Sequence, residues 1–428
     1  MRNKTRLVSV LVALAAAVVW VGTFGCAPGE TGPRTITVAQ SGKADVVGSD
    51  NVALQKAAGM LKPGDTLVIG PGVYTMNNGF YVPSGVTVRG TAGKTILKKS
   101  DGVESPLKVD AGYGMYQLMP EDPSKFRGGM GVSVLDDDQS GWGVTVTTVT
   151  AVEGDILRID PMTLFDYLVV PNHAKVQNTF PILAVLNAEN VLLEGITVDG
   201  NKDTNSYLGG CRGGAIYMDQ VRNVTVRNCV ARNYNGDGIS FQITDQVKIL
   251  DCESFGHTGL GVHPGTGSDR STVKGCHIHD NGKVGLFLCW RVRHGEFSDN
   301  LIENNGNYGI SIGHKDTDNL FERNKITHNG LYGVYFRQET FSNSGHRNTF
   351  RDNTILDNGS ERGGAGFYIE PKAGDIVIEN NRISETRAKN PTQLYGVYKV
   401  KGAGEVRMEN NTIQGNVRGE FAEGKGLK

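Results

Sequence analysis

The chain predicts an all-β fold, a parallel β-helix (β-solenoid) in which short strands stack coil upon coil, and three observations carry that prediction. From residue 224 a motif recurs: a short β-branched strand, Cys or Asn, an aliphatic residue, an Asn-Gly turn, and a second strand opening with Gly. Aligned on the Cys/Asn position, it gives Cys229, Cys252, Cys276, Asn300, Asn324, Asn353, Asn381 and Asn411, at intervals of 23, 24, 24, 24, 29, 28 and 30. Glycine is in excess, 58 of 428 residues, without the triplet period of collagen or the Ser and Pro content of a linker. Such glycine punctuates many turns.

Residues 1–25 read as an export signal: Arg2, Lys4 and Arg6 precede an apolar stretch from Leu7 to Val21 that is short for a membrane span. Thr23-Phe24-Gly25-Cys26 resembles a bacterial lipoprotein cleavage site with Cys26 as the lipidated residue; plain secretion and an uncleaved anchor are the alternatives. The expected location is the cell envelope or the extracellular space, with a membrane engaged only through the lipid. Residues 26–109 hold an N-terminal cap and first coils. Asp50 to Leu61 predicts an amphipathic helix with Leu54, Ala57, Ala58 and Leu61 on one face and Ser49 or Asp50 as N-cap, covering an otherwise open strand edge. TLVIGPGVYT and VTVRG follow as first strands. Residues 110–180 break the repeat, and VSVLDDDQSG, VTVTTV and ILRIDP predict a small β-rich insertion. Coils resume over 181–416, with a tail at 417–428. Two insertions of about five residues, after Arg323 and after Arg351, lengthen loops expected on one flank.

Stacked coils put like residues on like. The five asparagines of the column can bond from amide to amide along the axis, and Cys229, Cys252 and Cys276 continue it as reduced, buried thiols, disulfides being the competing reading. Lipidation of Cys26 would leave five of six cysteines, an odd number. In the second strand, the residue after Gly238, Gly261, Gly285, Gly309, Gly333, Gly366 and Gly396 is always apolar, so the next points outward. That outward column reads Ser240, His263, Phe287, Ser311, Tyr335, Tyr368 and Tyr398; the next reads Gln242, Gly265, Cys289, Gly313, Arg337, Glu370 and Val400. A strand two residues longer would add Arg291, Lys315, Glu339 and Lys372, with His314 one step off that column.

An exported chain, a capping helix followed by GDTLVIGPGVYT, a strand-turn insertion and asparagine-laddered coils together resemble the pectin lyase-like superfamily of right-handed parallel β-helices, over residues 36–416. The resemblance implies a binding groove over one sheet. It does not settle function, because that superfamily holds polysaccharide lyases, glycoside hydrolases, uronate epimerases, phage tailspikes and proteins without catalysis.

The outward columns suit an acidic polysaccharide, since sugar rings stack on aromatics and carboxylates pair with arginines. For β-elimination or related uronate chemistry, His263 is the expected base, opened to solvent by Pro264-Gly265, with Lys315 as alternative base, Tyr335 as acid and Arg337 as neutralising charge. Arg291, Glu370, Tyr368, His314 and Asp237 are expected to bind substrate. Hydrolysis by paired carboxylates such as Glu339 and Glu370 is the second reading, and non-catalytic carbohydrate binding the third. An ion ladder of Arg291, Lys315, Glu339, Glu370 and Lys372 that only keeps coils in register competes with all three. A formal net charge of -1 argues against nucleic acid as a partner. His257 reads as a turn residue, and His277 and His279 as surface or core residues of the first-strand sheet. No zinc spacing appears, so no metal or other cofactor is expected; calcium at Asp136-Asp137-Asp138 is the alternative to a solvated acidic turn. Oligomeric state is not readable.

Overall fold

A computed structural model describes residues 32–427; the signal segment and Cys26 lie outside the described residues. Three sheets of parallel strands, with 13, 11 and 11 members, wind around one apolar core. Each coil therefore has three strands where the motif suggested two. The residues after the Cys/Asn column, such as Val230–Arg232, His277–His279 and Leu301–Glu303, form a second sheet of their own. The cause is a single left-handed residue just before the column, with φ of 51° at Asn228, 50° at Asp251, 58° at Asp299 and 56° at Asp352. Asn and Asp tolerate that conformation best among residues with a Cβ, and it turns the chain through a corner without a loop. A three-residue strand bounded by such a corner shows no periodicity of its own.

Inward side chains stack by type. Phe297, Phe321 and Phe350 lie face to face at 4.9 and 4.5 Å, and Ile278, Ile302, Ile326, Ile355 and Ile383 are fully buried behind the second sheet. The asparagine column bonds as a ladder: Asn300 Nδ2 donates to Asn324 Oδ1 at 2.9 Å, and the same bond links Asn324, Asn353, Asn381 and Asn411 at 3.0 Å. Cys229, Cys252 and Cys276 are buried and unpaired to one another as disulfides, each thiol resting on backbone carbonyls. A second ladder, not anticipated, runs through Asn281, Asn305, Asn329, Asn358, Gln393 and Asn416 at the corner before the third sheet. The Asn-Gly turns of the motif are these residues, buried because the corner folds over the core.

The helix Asn51–Ala58 caps the first coils, with the Asp50 carboxylate accepting from the Ala53 amide at 3.0 Å and Leu54, Ala57 and Ala58 buried against the end of the solenoid. A six-stranded antiparallel sheet from Glu104–Pro106 to Lys175–Gln177 projects from the early coils around its own core of Val132, Val134, Leu157, Ile159 and Tyr167. Two expectations change. Residues 417–428 are not merely a tail, because Gly419–Gly424 pairs with Tyr395–Val400 and extends the third sheet. The two five-residue insertions do not share a flank. The first lies between Tyr332–Phe336 and Thr349–Arg351, where the chain leaves the third sheet, and the second between Thr354–Leu356 and Ala365–Ile369, where it returns.

Candidate functional site

The third sheet carries the outward columns. Register aligns Tyr217, Ser240 and His263, and farther along Phe287, Ser311, Tyr335, Tyr368 and Tyr398. Facing out is not the same as being open. The loop before Ile216–Asp219 folds across the upstream coils, where the Gly210 carbonyl accepts from Ser240 Oγ at 2.7 Å and Gln242 Nε2 at 3.1 Å. Gly210 passes so close over Asp237 and His263 that any Cβ there would collide with both.

His263 is thus 4% exposed, not the solvent-facing base expected. Its Nδ1 lies 2.8 Å from Asp237 Oδ2, whose other oxygen accepts the Leu260 amide at 3.0 Å. Burial alone lowers the His263 pKa, but the Asp237 carboxylate and then the Cys289 thiol outweigh it and lift the imidazole to about 9. A buried imidazolium at neutral pH can donate a proton or stabilise charge; it cannot accept one. Its Nε2 is buried without a partner. His257, six residues earlier in the same coil, is the reverse case: it accepts from the Tyr234 amide at 3.1 Å, faces the Ala231 carbonyl at 3.1 Å, and desolvation drives it down to about 4. It is a neutral structural histidine.

At mid-sheet the third outward column does not form. The strands Val284–Phe287, Tyr308–Ile312 and Tyr332–Phe336 end before Arg291, Lys315 and Glu339, and on the first two coils Trp290, Arg291, His314 and Lys315 take left-handed turns at φ of 66°, 67°, 47° and 67°. Lys315 instead lines a depression of about 380 Å³ with His294, Asp318 and Arg347, away from the sheet face. Arg291 lies over the ring of its neighbour Trp290. Arg337 is spent internally: it donates to Ser311 Oγ at 2.9 Å and the Leu288 carbonyl at 2.7 Å, pairs with buried Asp316 at 3.3 Å, and covers Phe287 at 4.4 Å. His263 touches the same Phe287 ring edge-on at 5.3 Å, so Phe287 separates the two groups expected to act together. Glu339 is bound to His314 Nε2 at 2.6 Å, and desolvation, then the Arg337 charge, lowers the His314 pKa.

Downstream the face becomes aromatic. Tyr308, Tyr332, Tyr335, Tyr368, Tyr395 and Tyr398 form one cluster, with parallel contacts of 5.5 Å between Tyr308 and Tyr332, 4.3 Å between Tyr332 and Tyr368, and 5.4 Å between Tyr368 and Tyr398. Tyr308, Tyr332 and Tyr395 immediately precede Gly309, Gly333 and Gly396, so the repeated Tyr-Gly pair was visible; reading glycine as the first strand residue hid it. Glu370 sits at the cluster edge, with the Tyr335 hydroxyl 3.5 Å from its Oε1, and desolvation raises its carboxyl pKa. The charge of Arg362, on the loop before this strand, reaches Tyr308.

Upstream, a cavity of about 310 Å³ opens between the antiparallel insertion and the third sheet, lined by Tyr81, Leu164, Leu186, Arg212, Tyr217 and Asp219 among others. Arg212 donates to the Trp142 carbonyl at 3.0 and 2.8 Å, and burial raises the Asp219 carboxyl, one oxygen of which has no partner. Asp219 shares a column with Gln242; the alignment that began at Gly238 started one coil too late to include it. In the insertion, the acidic run serves the protein itself: Asp136 accepts the amides of Asp138, Gln139 and Leu168, Asp137 pairs with His173, and Asp138 accepts from Asn172.

The fold has counterparts among solved structures. The A-module of a mannuronan C-5 epimerase from Azotobacter vinelandii superposes with a TM-score of 0.54 at 15% identity, covering 87% of this chain and 93% of its own. A pectate lyase gives 0.51 at 15% identity over 88% and 79%, and a polygalacturonase from Erwinia carotovora 0.50 at 12% identity over 93% and 97%. No curated protein matches the chain in sequence. Residues 194–344 and 336–427, more than half of the chain, match the family described as right handed beta helix region, and the chain belongs to that family.

Proposed function

We propose that the outer face of the third sheet is a polysaccharide groove, with sugar rings lying on the tyrosine platform and uronate chemistry carried out at Tyr335 and Glu370. The observation that carries this reading is the platform itself: six tyrosines in mutual contact on one sheet face, four of them partly exposed, beside a carboxyl of raised pKa. Flat apolar rings with hydroxyl edges suit pyranose faces, and adjacent coils ~4.8 Å apart repeat the contact along a polymer. The names of the structural counterparts refer to polyuronates, which supports an acidic chain as substrate.

In this reading Glu370 takes the proton beside the uronate carboxylate, Tyr335 returns one, and Arg362 neutralises the carboxylate that the internally paired Arg337 cannot reach. Hydrolysis fits less well, because Glu339 and Asp316 are already held by His314 and Arg337. Binding without turnover is favoured by one fact: the buried pairing of both His263 and Arg337. Purified protein should be incubated with pectate, alginate and glycosaminoglycans, following absorbance of unsaturated products and, for epimerisation, solvent deuterium entering the sugar. Glu370→Gln and Tyr335→Phe should abolish turnover while retaining binding. Binding to a glycan array with no turnover by the parent chain would leave a lectin-like groove; no binding to any polyuronate would overturn the proposal.

A further inference from the structure

The second sheet carries a cluster that the groove does not use. Alternation turns Glu253 and Phe255, His277 and His279, and Leu301 and Glu303 to its outer face, while Ser254, Ile278 and Ile302 are buried. Register sets Glu253 beside His277 and His279 beside Glu303 on three consecutive coils. The polar contacts run along the diagonals: His279 Nε2 lies 3.1 Å from Glu253 Oε1, and His277 Nε2 lies 3.0 Å from Glu303 Oε1. Donor atoms of Glu253, His277 and His279 all fall within 4.8 Å of one another.

We propose that Glu253, His277 and His279, with Glu303 as a further donor, form a zinc site on this face. Tetrahedral zinc at ~2.0–2.1 Å from its ligands spaces them roughly 3.3 Å apart, so small side-chain rotations close the set. Two imidazoles and a carboxylate are borderline donors that suit zinc over calcium or magnesium. The rings are already placed. His279 is held between Phe255 at 4.9 Å and His277 at 3.9 Å in one continuous stack. Its Nδ1 lies 2.7 Å from Asp280 Oδ2, and an Nδ1 proton donated there leaves Nε2 for the metal, the carboxylate-imidazole-metal arrangement common in zinc proteins. The ion would take the place of the direct contact between Nε2 and Glu253 Oε1. Linear spacing cannot show this site, because one ligand comes from the preceding coil, 24 residues before His277.

The test is titration of the full chain with Zn²⁺ by calorimetry, paired with Co²⁺ absorption spectroscopy. One equivalent should bind, the melting temperature should rise, and Co²⁺ should give the intense visible bands of tetrahedral coordination; Ca²⁺ should do none of these. His279→Gln and His277→Gln should each weaken Zn²⁺ by more than the roughly 10- to 100-fold typical of losing an outer-shell partner, whereas His294→Gln, on a different surface, should not. Either variant that fails to fold is replaced by Glu253→Gln, which must abolish the Co²⁺ bands. An octahedral Co²⁺ spectrum, or Zn²⁺ binding unchanged in His279→Gln, overturns the site.

Discussion

The upstream and downstream halves of the third sheet share one register and present opposite surfaces. Upstream, Asp237, Ser240, Gln242 and His263 are sealed beneath the Gly210 loop and bond to it and to one another, with His263 Nε2 left without a partner. Downstream, the same outward column holds Tyr335, Tyr368 and Tyr398: the last two are buried beside the C-terminal residues, where the Gly426 amide donates to the Tyr398 hydroxyl, while Tyr335 and its neighbours Tyr308 and Tyr332 lie partly open. Register decides which way a side chain points; the cover decides whether it becomes a structural polar cluster or a surface for a ligand.

The comparison can be broken most directly at Asp237. Asp237→Ala leaves a buried imidazolium without its carboxylate and should cost about 3–5 kcal/mol in chemical denaturation, whereas a loss below about 1 kcal/mol would mean the upstream cluster is accessible rather than structural. Titration sharpens the same point. His263 stands at about 9 in the fold against ~6.5 when free, so its contribution is complete below ~6.5 and fades as pH rises through about 9; Asp237→Asn should flatten that alkaline slope. His257 works in the other direction. At about 4 in the fold, it destabilises progressively as pH falls from ~6.5 toward 4, and His257→Gln should remove that acid-side loss. On the downstream half, Tyr332→Ala takes away the ring between Tyr308 and Tyr368 and should cost ~1–2 kcal/mol of stability but about tenfold or more in polysaccharide affinity by calorimetry. Smallest is Glu370→Gln, expected within about 0.5 kcal/mol of the parent chain in stability while eliminating turnover.

Much of the architecture could be read along the chain, since stacking forces each coil position to repeat its chemistry. The column from Cys229 to Asn411 and the outward column from Ser240 to Tyr398 are both in register as aligned. The second sheet could not be read, because single left-handed residues such as Asp251 and Asp299 create corners that leave no periodic trace. The site residues divide for a similar reason. Tyr335 and Tyr368 lie where the alternation put them, while Arg291, Lys315 and Glu339 fall outside the sheet because their strands end three or four residues before them.

By itself, then, the sequence determined the coil length, the inward and outward columns and the ladders, all consequences of local alternation and of like stacking on like. Only the tertiary structure decided exposure. A loop more than 25 residues before His263 in the chain covers it, Arg337 folds back onto Asp316 instead of reaching outward, and Glu253 meets His279 across a coil boundary. These are contacts between segments distant in the chain, set by how the coils and their loops pack in three dimensions, and no local pattern records them.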